Sequence, residues 1–387
     1  MSVYTPVSAA ELDTFLQSYP AGQLLDFSGI TAGIENTNYF VTTTGGNYVL
    51  TLFEHHTLQE LPYFLDLMAH WAQAGIPSAA PLATHQGELL STLNGKPAAL
   101  VQRLSGGHAD FPNVTQCAEL GSVLALMHVS GTTFPHYRAS DRGHDWRMQT
   151  AQQVLPHLNP DDAALLQTEC AYQQTIPFAQ LPSGTIHADL FRDNALFADG
   201  KLSGVLDLYF ACTDTLLYDL AVVVNDWCCH TDGSLDDARY QACLTTYQQV
   251  RPWNTLEQTH WLAMLRAAAL RFWLSRWVAK LNPRDGALTQ QKDPSEFRDK
   301  LRQRVALATS PQSVTIDARR LLCPMPVIRV QQAVAKLPAG THVTAICTDP
   351  GALHDIPAWA RIHGHSVVAT HSAGREHTIT ICTGQRT

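Results

Sequence analysis

Between Asn38 and Phe53 two runs of β-branched and aromatic residues, NYFV and YVLTLF, flank a Gly45-Gly46 break, the pattern of a β-hairpin. The periodicity then changes: TLQELPYFLDLMAHWAQAG predicts an amphipathic helix over 57–75, with Thr57 and Glu60 at capping-box spacing and Gly75 as its stop. Short strands follow up to KPAALVQRL, and residues 115–312 read as mostly helical, broken by one strand-loop-strand unit at 184–210. A β-rich small lobe (about 1–104) thus precedes a helical large lobe (about 105–307). The last segment alternates again: SVTIDA, THVTAICTD, SVVATHS and EHTITICT read as strands, and MPVIRVQQAVAKL and GALHDIPAWARIHG as helices. The order β-α-β-α-β-β predicts two helices on one face of a four-stranded sheet, a small two-layer α/β sandwich. The fold class as a whole is α+β.

Length and charge refine that division. At about 150 residues per domain, 387 residues make two to three domains, and an apolar fraction of 45% is enough to fill their cores. The net charge of −8 excludes an obvious nucleic-acid binder, and 16% charged residues is too few for a disordered chain. From Val314 onward, however, seven basic residues face four acidic ones, so this segment is +3 against −11 for the rest. The change falls in the small, polar stretch 308–313, read as a linker between domains 1–307 and 314–387. The nine cysteines show no C-x-x-C spacing, and the N-terminus lacks the basic start and apolar run of a signal peptide. Arg266, Arg271 and Arg276 interrupt the most apolar late stretch, which argues against a membrane span. A reduced cytoplasm is the expected compartment.

The strongest chemistry lies in GTIHADLFRDNALFADGKLSGVLDLYF, where His187, Asp189 and Asn194 form H-x-D-x-x-x-x-N and Asp207 ends an apolar strand. Phosphoryl transfer needs a carboxylate that orients the attacking hydroxyl and accepts its proton, and oxygen ligands that hold Mg²⁺ against nucleotide phosphates. Asp189 suits the first role, and Asn194 and Asp207 the second; three polar residues in ordinary turns is the competing reading. His187 is expected to support the loop by hydrogen bonding, and Asp219, in LLYDLAVVV, to brace it by accepting backbone N–H bonds.

That motif, with VLDLYFA and YDLA, resembles the aminoglycoside phosphotransferase superfamily, small-molecule relatives of protein kinases. More narrowly, GITAGIENTNYFV, YVLTLFEHHTLQELPYFLDLM, HADLFRDNALF, DLYFACTDTLLYDLAVVVNDWC and RAAALRFWLSRW are similar to its homoserine kinases, across nearly all of residues 1–307. The resemblance implies a two-lobed protein-kinase-like fold and Mg²⁺/ATP-dependent phosphorylation of L-homoserine in threonine biosynthesis. A kinase for another small alcohol such as choline is the alternative within the class. Outside it stands a sulfur-relay protein whose kinase-like part only binds nucleotide or a partner.

The small lobe departs from the kinase pattern. No Lys or Arg precedes Lys96, and Thr51 occupies the place of the strand lysine that holds the α- and β-phosphates. Glu54 and Glu60 are therefore expected to lack a lysine partner. Phosphate charge is left to Mg²⁺, to His55 or His56, and to the loop GITAGIENTNY, where Gly29 and Gly33 permit close backbone approach and Asn36, Thr37 and Asn38 offer side-chain donors. A plain hairpin turn is the competing reading of that loop. Adenine is expected against Leu100–Leu104. A zwitterionic amino acid requires a cationic or N–H cluster and an opposing acid or carbonyls. Tyr209, Asp226 and Trp227 are candidates near the catalytic unit, and Arg142, Trp146 and Arg147 of DRGHDWR on the carboxylate side.

In the last domain Cys323 precedes Pro324 and Pro326, at an expected helix start with Arg319 and Arg320 close in sequence. The positive helix end and these cations are expected to ease thiolate formation, whereas Cys347 and Cys382 read as buried apolar residues. IDARRLLCPMPVIRVQQAV with TDPGALHDIPAWARIHGH resembles the TusA/SirA-like sulfur carriers over essentially this whole domain. The resemblance implies a persulfide on Cys323 passed to a sulfurtransferase partner. Arg320 stands where that family usually has glycine.

Overall fold

Alternating burial builds the small-lobe sheet. Strands β1 (Leu24–Gly29), β2 (Thr37–Thr43), β3 (Gly46–Leu52), β4 (Ser91–Leu93) and β5 (Lys96–Gln102) are antiparallel in the order β1-β2-β3-β5-β4. Tyr39, Val41, Leu50, Leu52, Ala98 and Leu100 pack on one face against Leu12, Phe15 and Leu16 of helix α1 (Ala9–Leu16). By the period-2 rule Asn38, Phe40, Val49, Thr51 and Ala99 belong to the opposite face. Thr43 pairs with Gly46, so the hairpin turn is Thr44-Gly45, one residue earlier than the sequence suggests. Gly45 is required there because an added Cβ would stand 2.4 Å from the Ala21 carbonyl oxygen. Helix α2 runs Leu61–Gln73 rather than from 57: Thr57 and Glu60 do bond (Oγ1 to Oε2, 2.8 Å), but Pro62 fits only in a helix's first turn.

The structure is a computed structural model that describes residues 4–30, 36–283, 292–309, 313–337 and 339–384; the chain divides into units 1–304 and 305–387. After β5 the chain enters the large lobe through Gly106, whose φ of +128° and approach to the Phe197 carbonyl exclude a side chain. The large lobe holds α3 (Val114–Gly131), α4 (His144–Val154), α5 (Pro160–Gln173), α6 (Leu216–Trp227), α7 (Asp237–Val250), α8 (Thr255–Leu281) and α9 (Ser295–Thr309). Inserted among them are two antiparallel ladders, β6 (Ser183–Ile186) with β9 (Cys212–Thr215) and β7 (Ala195–Ala198) with β8 (Lys201–Val205). Every residue of α6 is buried. The three arginines that interrupt apolar α8 each meet a carboxylate: Arg266 with Glu169, Arg271 with Asp189, Arg276 with Glu296. Among the described residues no helix is long and apolar enough to cross a membrane. Helix α9 continues to Thr309, into the expected linker.

The C-terminal unit comprises β10 (Ser313–Ala318), α10 (Met325–Val334), β11 (His342–Cys347), α11 (Ala352–Ile362), β12 (Ser366–Ala373) and β13 (Glu376–Cys382). Its sheet order is β10-β11-β13-β12, with β10 and β11 parallel and the remaining pairs antiparallel. Ile316, Val343, Ala345, Ile379 and Ile381 meet Val330, Val334, Ile356 and Ala360 of the two helices in one core, as the β-α-β-α-β-β reading requires.

Candidate active site

The loop after β6 is held from beneath by one carboxylate. Asp219, in the first turn of α6 and wholly buried, accepts from His187 N (2.9 Å), Ala188 N (2.7 Å) and His128 Nε2 (3.1 Å). Burial by itself raises its pKa, but the bonds and charges of His128 and His187 outweigh that and hold it below the ordinary carboxylate value. Ala188, anchored in this way, adopts a left-handed conformation (φ 65°), one residue before Asp189. His187 donates from Nε2 to the Leu206 carbonyl (2.8 Å) while Nδ1 accepts from Asp189 N (3.3 Å). Burial lowers its pKa against the opposing Asp219 charge and the Leu206 bond, and the ring ties the loop to the Asp207 segment.

Asp189 has two different sides. Its Oδ1 accepts from Arg271 Nη1 at 3.2 Å, and its Oδ2 faces Asn194 Nδ2 at 3.4 Å. Burial raises its pKa to about 7; Arg271 opposes that shift and the charges of Asp207 and Asp193 add to it. Asn194 donates to the Asp189 carbonyl (2.8 Å), which fixes its amide group and turns its Oδ1 away from that bond. Asp207 is exposed and left-handed (φ 58°), one residue after Leu206, whose N–H bonds the Asn194 carbonyl (2.9 Å). The Asp207 carboxylate and the Asn194 amide oxygen are hard oxygen donors of the kind a small divalent cation takes. Arg271 lies 4% exposed between the rings of Phe210 (5.2 Å) and Phe272 (3.7 Å).

The phosphotransferase enzyme family model matches residues 26–253 and the sulfurtransferase TusA model residues 314–383. A homoserine kinase of Methylobacillus flagellatus is 46% identical over 318 residues, 82% of this chain and 100% of that one. The chain belongs to the homoserine kinase family. A second homoserine kinase, of a Janthinobacterium species, is 45% identical over 80% of this chain and 98% of its own. Two solved structures share the fold of the homoserine kinase part: a microcompartment-associated aminopropanol kinase (16% identity, TM-score 0.59, 78% of this chain and 98% of that chain) and an amicoumacin kinase (15%, 0.56, 78% and 94%).

Several residues expected at the site are engaged elsewhere. Asp226 accepts from Arg192, through Nε (3.1 Å), Nη2 (3.2 Å) and the backbone N–H (2.9 Å). Trp227 is fully buried, packs on Phe197 and donates Nε1 to the Leu190 carbonyl (3.0 Å), which makes it a brace of the catalytic loop and not a substrate contact. Tyr209 joins an aromatic cluster with Phe53, His56 and Phe64. Arg142 stacks on Trp146 (4.5 Å) and lines a recess beside Ala188.

In the homoserine kinase small lobe, Thr37 is fully buried, its hydroxyl donating to Glu54 (2.7 Å) and accepting from Tyr4 N and Thr5 N. It stands on the α1 face and offers no donor to phosphate. Asn36 accepts from Glu54 N (3.4 Å), Asn38 accepts from Thr51 Oγ1 (2.8 Å) on the other face, Gly29 ends β1, and Gly33 lies outside the described residues. Glu54 does have a lysine partner, contrary to expectation: Lys96 Nζ is 3.1 Å away, at the start of β5. Sequence separation hid that pair. By strand parity it sits on the α1 face, away from Thr51, so Lys96→Met should leave the KM for ATP within about twofold. A ten-fold rise in steady-state assays would return Lys96 to the nucleotide side.

Sequence reasoning also missed Arg271 as a site residue. The available signal was an arginine inside an otherwise apolar helix, used only to exclude a membrane span.

In the C-terminal unit Cys323 alone of the nine cysteines is exposed, two residues before α10. Its environment is acidic, which reverses the expected activation. Sγ donates to Asp355 Oδ2 (3.1 Å), the backbone N–H to Asp349 (2.7 Å), and Arg319 is engaged by Asp317 and Glu376. The bond to Asp355, then desolvation and the Asp355 and Asp349 charges, raise the thiol pKa. Asp355→Asn should therefore shift the pH profile of Cys323 alkylation towards acid; an unmoved midpoint would show that Asp355 does not control the thiol. Arg320 has φ 60°, a conformation that glycine adopts without strain, which accounts for the family's usual residue there. Cys347 is buried and Cys382 partly so.

Proposed function

We propose that the chain is a Mg²⁺-dependent homoserine kinase that transfers the γ-phosphoryl group of ATP to the L-homoserine side-chain hydroxyl, with Asp189 as the base. One observation carries this: Asp189 presents one oxygen to Arg271 and the other towards Asn194, so an acceptor on the first side and a nucleotide on the second would meet at it. Asp189 would orient the hydroxyl and receive its proton as that oxygen bonds to phosphorus and the bond to the ADP oxygen breaks. Asn194 and Asp207 would hold the cation, which when bound neutralises charge on the phosphate oxygens. His187 and Asp219 keep the loop in place; Gly29, Asn36 and Asn38 remain the residues proposed near phosphate. The family resemblance and the homoserine kinase relatives support the substrate and a cytoplasmic setting.

We assign the kinase to residues 1–307 and a sulfur carrier to 314–387, with Cys323 as its persulfide-bearing residue and a sulfurtransferase as its partner. The exposure of Cys323 favours this second activity. ADP release with Mg²⁺-ATP against L-homoserine, L-serine, choline and ethanolamine tests the first. Homoserine should dominate, with phosphate on its side-chain oxygen by ³¹P NMR; turnover of choline alone would replace the substrate, and no turnover on any alcohol would leave only the sulfur carrier.

A further inference from the structure

The small lobe carries two cations up to Leu104, Lys96 and Arg103, and they face opposite ways. Lys96 is neutralised by Glu54 on the α1 face. Arg103 is exposed, and its guanidinium lies over the ring of Phe40, 3.9 Å from the centroid, with no ion pair and no side-chain hydrogen bond among the described residues. Tyr39 and Val41 pack into the core on the α1 face, so Phe40 stands on the other face, the one that carries Thr51. Its row on that face continues through Val49 and Val101, both half-buried. Backbone bonds hold Arg103 where the lobes meet. Its N–H donates to the Asn47 carbonyl of β3 (3.1 Å), and two residues later the Ser105 carbonyl accepts from Ser203 Oγ of β8 (2.6 Å).

We infer that Arg103 binds the purine of the nucleotide: Phe40 backs one face of its guanidinium, and the base stacks on the other, beside Val49 and Val101. The inference rests on the ATP-dependent kinase reading and deepens it. Position along the strands decides between base and phosphate. Thr51 and Asn38, at the place of the strand lysine, mark the phosphate end of this face. Asn47, to which Arg103 is bonded, lies four residues before Thr51 on β3, about 13 Å away at about 3.3 Å per residue. The purine and the γ-phosphate are opposite ends of ATP, so a cation at the connection between the lobes meets the base. A guanidinium is planar and weakly hydrated and stacks on aromatic faces, whereas an ammonium offers no flat face. Val49 and Val101 supply the apolar surface that a base requires.

The test titrates the full-length chain calorimetrically with adenosine, which lacks phosphate, and with inorganic tripolyphosphate, which lacks the base. Arg103→Ala should weaken adenosine binding about tenfold and leave tripolyphosphate within about twofold. In steady-state assays the KM for ATP should rise by about the same tenfold, with the KM for homoserine unmoved. Arg103→Lys keeps the charge but loses the flat face, so it should restore little of the loss. Lys96→Met, which removes the other cation, should leave adenosine binding unchanged. Wild-type affinity for adenosine in Arg103→Ala, full recovery in Arg103→Lys, a loss confined to tripolyphosphate, or no adenosine binding by the wild type would overturn the assignment and leave the kinase reading standing. Adenosine binding that depends on Arg103 in a chain that phosphorylates no alcohol would support the purine site and remove the kinase reading.

Discussion

Asp189→Asn is expected to lower kcat for homoserine phosphorylation by about 10²–10⁴, the usual contribution of a positioned general base, while the protein still folds. The pH dependence gives this a second signature. Burial lifts the carboxyl to about 7, so kcat/KM of the wild type should fall on the acid side with a midpoint near neutrality, as protonation removes the base. The stability linkage has the opposite sense. A folded-state pKa above the unfolded value favours the protonated native state, and this contribution is full below about pH 4 and lost as pH rises to about 7. The asparagine variant does not titrate. Its unfolding free energy should therefore gain on that of the wild type across that window, by an amount on the order of a few kcal/mol at about 1.4 kcal/mol per pH unit, and its melting temperature should rise with it. Retained activity in Asp189→Asn would remove Asp189 from the chemistry; melting curves that stay parallel from pH 4 to 8 would contradict the burial cost.

Asp219→Ala should be the most destabilising single change near the site. Its removal leaves two backbone N–H groups, of His187 and Ala188, and the His128 ring without their acceptor inside a wholly buried environment. The loss should be about 3–5 kcal/mol in denaturant unfolding, of the size seen when one partner of a buried charged network is removed. Activity should fall as well, because Asp219 anchors the N–H of Ala188 in its left-handed turn and Asp189 follows it. Asp219→Asn keeps the size and one acceptor oxygen but faces an N–H with its own NH₂ group, so it should lose somewhat less. Wild-type stability in Asp219→Ala would mean that the loop is held by the strands alone.

Patterning made most of the architecture legible. Period-2 runs gave the hairpin and the C-terminal strands, and the change to period 3.6 gave the helices, because both follow from which side chains face a core. Boundaries were less well read where local signals compete: Thr57 and Glu60 form their box, yet Pro62 delays the helix to Leu61. The catalytic loop was legible because its residues are close in sequence and their spacing is itself the chemistry.

Substrate and electrostatic assignments fared differently. Asp226 and Trp227 lie near the loop in space, but Arg192 and the Leu190 carbonyl had already engaged them. Cys323 follows two arginines in sequence and faces two aspartates from 26 and 32 residues away. Lys96 reaches Glu54 over 42 residues, and Arg271 reaches Asp189 over 82. The sequence by itself determined the division of the chain, the strand and helix order, and the H-x-D-x-x-x-x-N unit, all of which depend on neighbours a few residues apart. Only the tertiary structure decided which polar groups remain available for ligands and which way each pKa moves. Hydrogen bonding and desolvation act over a few ångströms in space, and folding sets those distances with no regard for separation along the chain.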